Sequence, residues 1–404
     1  MINYKDDIIR IVSVSKESEY SMDHPLGSIC LHHKLRRALP PGIREDYDLL
    51  ATGRQNEISK NRFSKLLDTT KEYSEQLVAQ AKVIFSTTVS IAGPYLKRVK
   101  QLPVVIMDEA TQTSEPASLI PLAAPGIKKI IFVGDEAQLS AFTRVKALEM
   151  SLFERTLKNG SIKKPFMLDT QYRMHPEISE FPRKEFYHGH LNDGVTAKDR
   201  ELPGIKYPVY FWDHEGHNGA FESKIYSHGG EETGYSLVNR QEAQYISRII
   251  ENLIVDKHIE PDRIGVMTGY AGQRDLISST LESNAVVNPN NYRVRISVDK
   301  EDIKTATSKG TSVHQVNGII VATVDAFQGR EKDFIVMSCV RSNSYGNIGF
   351  LKDKRRMNVA LTRAKCSLIF SGNVACLKKG DATWKEYIEI LEKKGYVQKG
   401  PLSY

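Results

Sequence analysis

The chain has 404 residues, 40% of them apolar and 26% charged, with a formal net charge of +7 and a pI of about 8.9. That length holds about two domains of ordinary size, and no apolar run reaches the roughly 18 residues that suggest a membrane span. The start, "MINYKDDIIR", has no apolar signal-peptide core. Cys30, Cys339, Cys366 and Cys376 show no CxxC spacing. That speaks against a zinc site or a disulfide framework and fits a reducing, intracellular setting. The positive charge permits a polyanionic partner without demonstrating one.

In chain order, "DIIRIVSV" (7–14) reads as a strand: mostly apolar and β-branched. Residues 15–82 are charged and helix-prone, broken by the turn signal "LPPGIRED", and read as a helical pair inserted between two strands. "VIFSTTV" (83–89), "PVVIMDE" (103–109) and "KKIIFVGDE" (128–136) are short apolar runs ending in polar residues. Between and after them, "SEPASLIPLA" (114–123) and "ALEMSLFERTLKNG" (147–160) predict helices, the second stopped by Gly160. A second set follows. Strands are expected at the start of "PFMLDTQYRM" (165–174) and in "RIGVMTGY" (263–270), "GIIVATVDA" (318–326), "KDFIVMSCV" (332–340) and "CSLIFSGN" (366–373). Helices are expected at 240–254 and 352–365, the latter carrying both Asn358 and Arg363. Residues 213–238 and 284–317 lack a core pattern and read as surface insertions. Apolar strands alternating with helices predict an α/β fold with parallel sheets covered by helices, divided at 1–165 and 166–404.

Open α/β sheets bind ligands at the carboxyl ends of their strands. In "VVIMDEATQ" (104–112), Asp108 at such an end can hold Mg²⁺ through water, and Glu109 can deprotonate an attacking water. Alone, two acids after a strand are also an ordinary solvated turn. In "IIFVGDEAQL" (130–139), Gly134-Asp135 allows a tight turn and Gln138 can hydrogen-bond a terminal phosphate. In "LDTQYRMHP" (168–176), Arg173 offers a rigid fork for phosphate and Tyr172 a ring for a base. Gln328-Gly329-Arg330-Glu331 puts polar reach beside a flexible glycine, and Arg363 suits an arginine finger.

Taken in order, "DEATQ", "GDEAQL", "QYRMHPEIS", "VATVDAFQGREKDFIVMSCVRSN", "IGFLKDKRRMNVALTRAK" and the closing "KGPL" resemble a superfamily 1 helicase of the up-frameshift (regulator of nonsense transcripts) family. The resemblance runs from near residue 7 to the end and is weakest at 30–80 and 284–317. It implies two RecA-like domains with ATP and Mg²⁺ in the cleft between them, and single-stranded RNA, with DNA possible, across their top. It implies 5′-to-3′ movement. Asp108 would hold Mg²⁺, Glu109 would activate water, and Gln138, Arg173 and Arg363 would meet the γ-phosphate. Tyr172 would stack on adenine, with Asp135, Gln328, Gly329 and Glu331 around the nucleotide. Thr87, Thr88, Val89, Thr268, Thr323 and Asn358 would contact the strand. Gly269 stands where the family often has proline. The resemblance further implies a cytoplasmic or nuclear monomer that works without a membrane, alongside translation-termination or decay factors in mRNA surveillance.

One motif is missing. No G-x-x-x-x-G-K-[ST] occurs in the 404 residues; the nearest string is "TSKGTS" (307–312). In the family that loop lies upstream of the first strand seen here, so a first domain truncated at its N-terminus is expected. Three accounts stand: a piece of an active helicase, an ATP-dead scaffold that binds RNA or protein, or an assembly in which another chain supplies the loop. Retention of Asp108, Glu109, Gln138, Arg173 and Arg363 favours the first.

Overall fold

The structure is a computed structural model that describes residues 5–141, 143, 145–163, 165–226, 235–297 and 312–400. The string "TSKGTS" up to Gly310-Thr311, the middle of each expected insertion (227–234 and 298–311) and Pro401-Leu402 of "KGPL" lie outside the described residues. The chain forms two compact units, one of residues 1–136 and 140–165, the other of 137–139 and 166–404.

In the first unit, β1 (Ile8–Arg10) pairs in parallel with β2 (Val83–Phe85), Ile8 opposite Val83. Between them the chain builds three helices, Leu31–Ala38, Pro41–Ala51 and Lys60–Gln80, where a pair was expected. Pro41 opens the second, and the Ser59 side chain caps the third by accepting from the Arg62 N–H. Ile9, Ile11, Leu31 and Val78 bury their side chains together and fix the insertion against the strands. β3 (Val104–Met107) and β4 (Lys129–Phe132) form a second parallel pair, with Met107 opposite Phe132. Met107, Ala110 and Phe153 make its core, and a Ser151–Glu154 capping box starts the helix Leu152–Lys158. Gly160, at φ +75°, ends that segment as its position suggested. The expected single covered sheet differs here: the four strands make two separate two-stranded sheets. Val104, Ile106, Ile130 and Ile131 are exposed, so apolar runs suited to burial on both faces are covered on only part of their area.

Burial pushes the Glu17 carboxyl, in the turn Val14–Glu19, up from 4.5 to about 7. Between those values the folded chain keeps a proton that the unfolded chain has lost. The contribution is therefore whole below pH 4.5 and is lost as pH rises through about 7. The urea midpoint is expected to fall across that window, and Glu17→Gln is expected to flatten the fall; an equal slope in both proteins refutes it.

The second unit opens with β5 (Thr170–Gln171) paired to β6 (Asn192–Asp193). Residues 165–169, expected as strand, pair with nothing among the described residues, and Phe166 and Leu168 are exposed. The main sheet uses β7 (Val209–Asp213), β10 (Ile264–Thr268), β11 (Arg295–Ser297), β12 (Val313–Val316), β13 (Ile319–Thr323), β14 (Lys332–Ser338), β15 (Ala364–Gly372) and β16 (Val397–Gln398). Beside it, β8 (Ser223–Tyr226) and β9 (Tyr235–Val238) pair antiparallel. The order is β11-β12-β13-β10-β14-β15-β7-β16, parallel from β13 to β16, with β11 and β12 antiparallel at one edge.

Strand residues alternate between two apolar cores. Phe334, Val336 and Ile369 face the helices Arg240–Glu251 and Ala271–Glu282. Ile335, Met337 and Phe370 face Ile178, Met357, Trp384 and Tyr387 on the other side. That is why these strands read as unbroken apolar runs. Both expected surface insertions need correction. Val316 is fully buried in the sheet on β12, and Leu237 and Val238 are buried on β9.

Candidate functional site

In the first unit, β3 stops at Met107 and leaves Asp108 and Glu109 exposed at its carboxyl end. The turn is fixed locally. The Glu109 backbone takes φ +51°, its N–H donates to Asp108 Oδ1 at 3.0 Å, and Gln112 Nε2 donates to Glu109 Oε2 at 2.8 Å. β4 delivers Gly134-Asp135 to the same end. The Val133 N–H donates to the Met107 carbonyl and the Ala110 N–H to the Val133 carbonyl, at 2.8 and 2.9 Å. A Cβ on Gly134 would lie 3.2 Å from the Thr111 nitrogen, so any larger residue would push the two turns apart by a few tenths of an ångström. Thr87, Thr88 and Val89 follow β2. Thr87 Oγ1 donates to Ser90 Oγ at 2.8 Å, and Val89 is exposed.

In the second unit, Arg173 and Arg363 meet at one residue. Arg173 NH1 donates to the Thr362 carbonyl at 3.0 Å, and Arg363 NH2 donates to Thr362 Oγ1 at 3.1 Å. Arg363 NH2 also donates to Gln138 Oε1 at 2.9 Å, which joins two residues 225 positions apart. The helix runs only from Lys354 to Leu361, so Arg363 lies beyond its end and not on it. The cause is local: Thr362 caps the helix, its hydroxyl turning back to the Asn358 carbonyl at 2.8 Å.

Glu331 pairs with Arg173 through its Oε2 and with Lys365 at 2.9 Å. Burial raises its carboxyl, but the two cations outweigh that and hold it below the usual range. Tyr172 is largely exposed over Gly194, where a Cβ would collide with its ring, and Arg200 NH2 holds the Tyr172 carbonyl at 2.6 Å. The Gln328 amide nitrogen and oxygen are both buried with no partner among the described residues, while Gly329 beside it is exposed at φ +74°.

Three residues expected at the strand have buried side chains. Asn358 is fully buried, its Nδ2 donating to the Ala137 carbonyl and the Tyr187 hydroxyl at 3.0 Å each. It tethers the Ala137–Leu139 segment and presents no surface. Thr268 and Thr323 sit opposite each other at the ends of β10 and β13, with buried side chains. Residues passed over in the sequence are Thr362, Lys365, Arg200 and Gln112; each acts through a partner far away or a turn that no single motif displays.

The donor set can be tested against Mg²⁺ and a nucleotide. Among the described residues no group of three His, Cys, Asp or Glu side chains gathers as a metal cage. Mg²⁺ on a nucleotide needs none, since one or two carboxylates, water and phosphate oxygens suffice. Asp108 offers such a hard oxygen at an open strand end, and the orphaned Gln328 amide suits a polar ligand group.

Models of an AAA domain match residues 44–146 and 148–375. ECM32 of Saccharomyces cerevisiae, whose name describes an ATP-dependent RNA helicase, is 46% identical over 397 residues, 96% of this chain and 35% of that protein. The ATP-dependent helicase upf1 of Schizosaccharomyces pombe is 34% identical over 98% of this chain and 40% of its own length. The regulator of nonsense transcripts 1 of Caenorhabditis elegans is 32% identical over 98% and 34%. The chain thus spans about a third to two-fifths of these relatives' length. No helix among the described residues is long and apolar enough to cross a membrane.

Proposed function

The chain belongs to the AAA-domain, ATP-dependent helicases of the up-frameshift (regulator of nonsense transcripts) family, and from that premise we propose that it is the core of a motor that couples ATP hydrolysis to 5′-to-3′ movement on single-stranded RNA. Residues 1–165 and 166–404 supply one RecA-like domain each, and no G-x-x-x-x-G-K-[ST] occurs within them. Asp108 would hold Mg²⁺, which would supply charge neutralisation on the phosphates. Glu109 takes the proton of the attacking water, steadied by the Gln112 amide. Gln138 and Arg363 act as one element that reads the terminal phosphate, and Arg173 adds the second cation. Tyr172 offers its exposed ring to adenine. The protein works in the cytoplasm as a monomer, in mRNA surveillance beside termination or decay factors.

The observation that carries this reading is the shared mounting of Arg173 and Arg363 on Thr362, with Gln138 bonded to Arg363. A scaffold has no use for two guanidinium groups and a glutamine held together. The test is nucleotide binding and RNA-stimulated hydrolysis, measured on the 404 residues and on the protein with its upstream reading frame restored. The 404 residues are expected to do neither, and the longer protein both. Hydrolysis by the 404 residues alone refutes the need for the loop. An upstream frame without G-x-x-x-x-G-K-[ST] turns the conclusion to the ATP-dead scaffold.

A further inference from the structure

Two turns of the second unit are built against each other. One follows β5 and carries Tyr172 and Arg173; the other follows β6 and carries Gly194 and Arg200. The Gly194 N–H donates to the Gln171 carbonyl at 2.7 Å. Gln171 Nε2 donates to Asp193 Oδ1 at 2.7 Å, and its Oε1 accepts from the Arg173 and Met174 N–H groups at 2.9 and 2.7 Å.

Arg200 closes the arrangement. Its Nε donates to the Arg173 carbonyl at 2.7 Å, its NH2 to the Tyr172 carbonyl at 2.6 Å and its NH1 to the Asp199 carbonyl at 3.1 Å. A rigid planar fork suits two carbonyls in succession, as the point charge of a lysine does not. It fixes the peptide planes on both sides of Arg173, the first of which also follows Tyr172. Arg200 is itself held by a capping box: the Thr196 N–H and Oγ1 each donate to Asp199 Oδ2 at 2.7 Å, and the Arg200 N–H donates to the Ala197 carbonyl at 2.9 Å.

The Tyr172 ring lies across Gly194. A Cβ there would collide with ring atom Cε1 and stand 2.6 and 2.8 Å from Cδ1 and Cζ. The rest of the ring is open, since Tyr172 is 66% exposed. The Gly194 backbone is outside the left-handed region, so other residues can adopt it. A side chain at 194 would therefore cost the ring its place, and the ring is free to swing into solvent.

We infer that Gly194 and Arg200 are positioning residues for the nucleotide base: Gly194 is the floor on which the Tyr172 ring rests, and Arg200 holds the main chain that carries it beside Arg173. The inference rests on the proposed stacking of adenine on Tyr172. An exposed ring left loose would lose rotamer freedom when a base stacks on it; a ring held beforehand has already lost it.

The test uses the chain extended to carry a G-x-x-x-x-G-K-[ST] loop, with ATP and inorganic tripolyphosphate titrated separately by calorimetry. The readout is the ratio of the two affinities, which a general weakening of the fold leaves alone. Tyr172→Ala is expected to lower the ratio by roughly 5- to 150-fold, the range of one stacked base. Gly194→Ala and Arg200→Ala are each expected to lower it by roughly 2- to 12-fold, the range for ordering one side chain on binding. Neither is expected to lower it further once Tyr172 is alanine, since both act through that ring. Gly194→Ala removes no hydrogen bond of Arg200, so it tests the floor even where Arg200→Ala weakens folding. A ratio unchanged in either variant overturns the role given to that residue. A loss of equal size with and without the Tyr172 ring overturns the inference and leaves the stacking of adenine standing. A ratio unchanged in Tyr172→Ala, or an extended chain that binds no ATP, overturns the stacking and the inference together.

Discussion

Glu109→Gln, made in a chain extended to carry a G-x-x-x-x-G-K-[ST] loop, is expected to keep ATP affinity and lose turnover by about 10²–10⁴-fold, the usual contribution of a positioned general base. The substitution is nearly isosteric, and the turn that carries it is set by the backbone. The Glu109 N–H bond to Asp108 Oδ1 survives, and φ +51° is unchanged in its demand on the residue. What changes is the group that takes the proton. Arg363→Ala is expected to lose about 10³-fold or more, because an arginine finger stabilises charge that develops only in the transition state. Arg363→Lys separates charge from geometry: a lysine cannot reach both Gln138 Oε1 and Thr362 Oγ1 as the planar fork does. It is expected to stay close to the alanine variant. The measurements are steady-state phosphate release and equilibrium ATP binding on the same preparations. Wild-type turnover in Arg363→Ala rejects the role, and loss of ATP binding in Glu109→Gln rejects the assignment of that residue to chemistry alone.

The strand-end placement of the candidate acids was legible because they end apolar runs. Asp108, Glu109 and Asp135 stand where an apolar strand gives way to polar residues, a boundary that the sequence displays directly. The pairings were not legible. Arg173 meets Glu331 across 158 positions and Arg363 meets Gln138 across 225, and neither residue type names its partner. The burial of Asn358 was hidden for a related reason. The resemblance implied a strand contact there, and the Ala137 carbonyl that its Nδ2 meets lies 221 positions away. β12 was hidden by His314 and Gln315, which break an apolar pattern although Val313 and Val316 are buried. The opposite error fell at 165–169, where apolar residues suggested a strand and the chain has no partner strand for them among the described residues. In each case the missing information is tertiary, and propensity yields to it.

Glu242→Ala is expected to destabilise the second unit by about 3–5 kcal/mol, the cost of removing one partner from a buried polar group. Glu242 is fully buried at the start of the helix Arg240–Glu251. Its carboxyl accepts from the Ser338 hydroxyl and from the Val340 N–H at 2.9 Å, and lies 3.1 Å from His214 Nε2. Val340 takes φ +68°, which a β-branched residue adopts only under constraint, at a cost on the order of 1–3 kcal/mol. The constraint is visible on both sides of that residue: Glu242 holds its N–H, and Asn239 Nδ2 holds its carbonyl at 3.1 Å. Loss of Glu242 therefore strands three buried groups and frees the strained residue that aims Arg341 at Glu222 and Tyr270. Glu242→Gln keeps the volume and one acceptor and should lose less. Both tryptophans of the chain, Trp212 and Trp384, are buried in this unit, so their fluorescence during urea unfolding reports on it alone. A loss under about 1 kcal/mol, the ordinary worth of a single hydrogen bond, would show that Val340 keeps its conformation without Glu242.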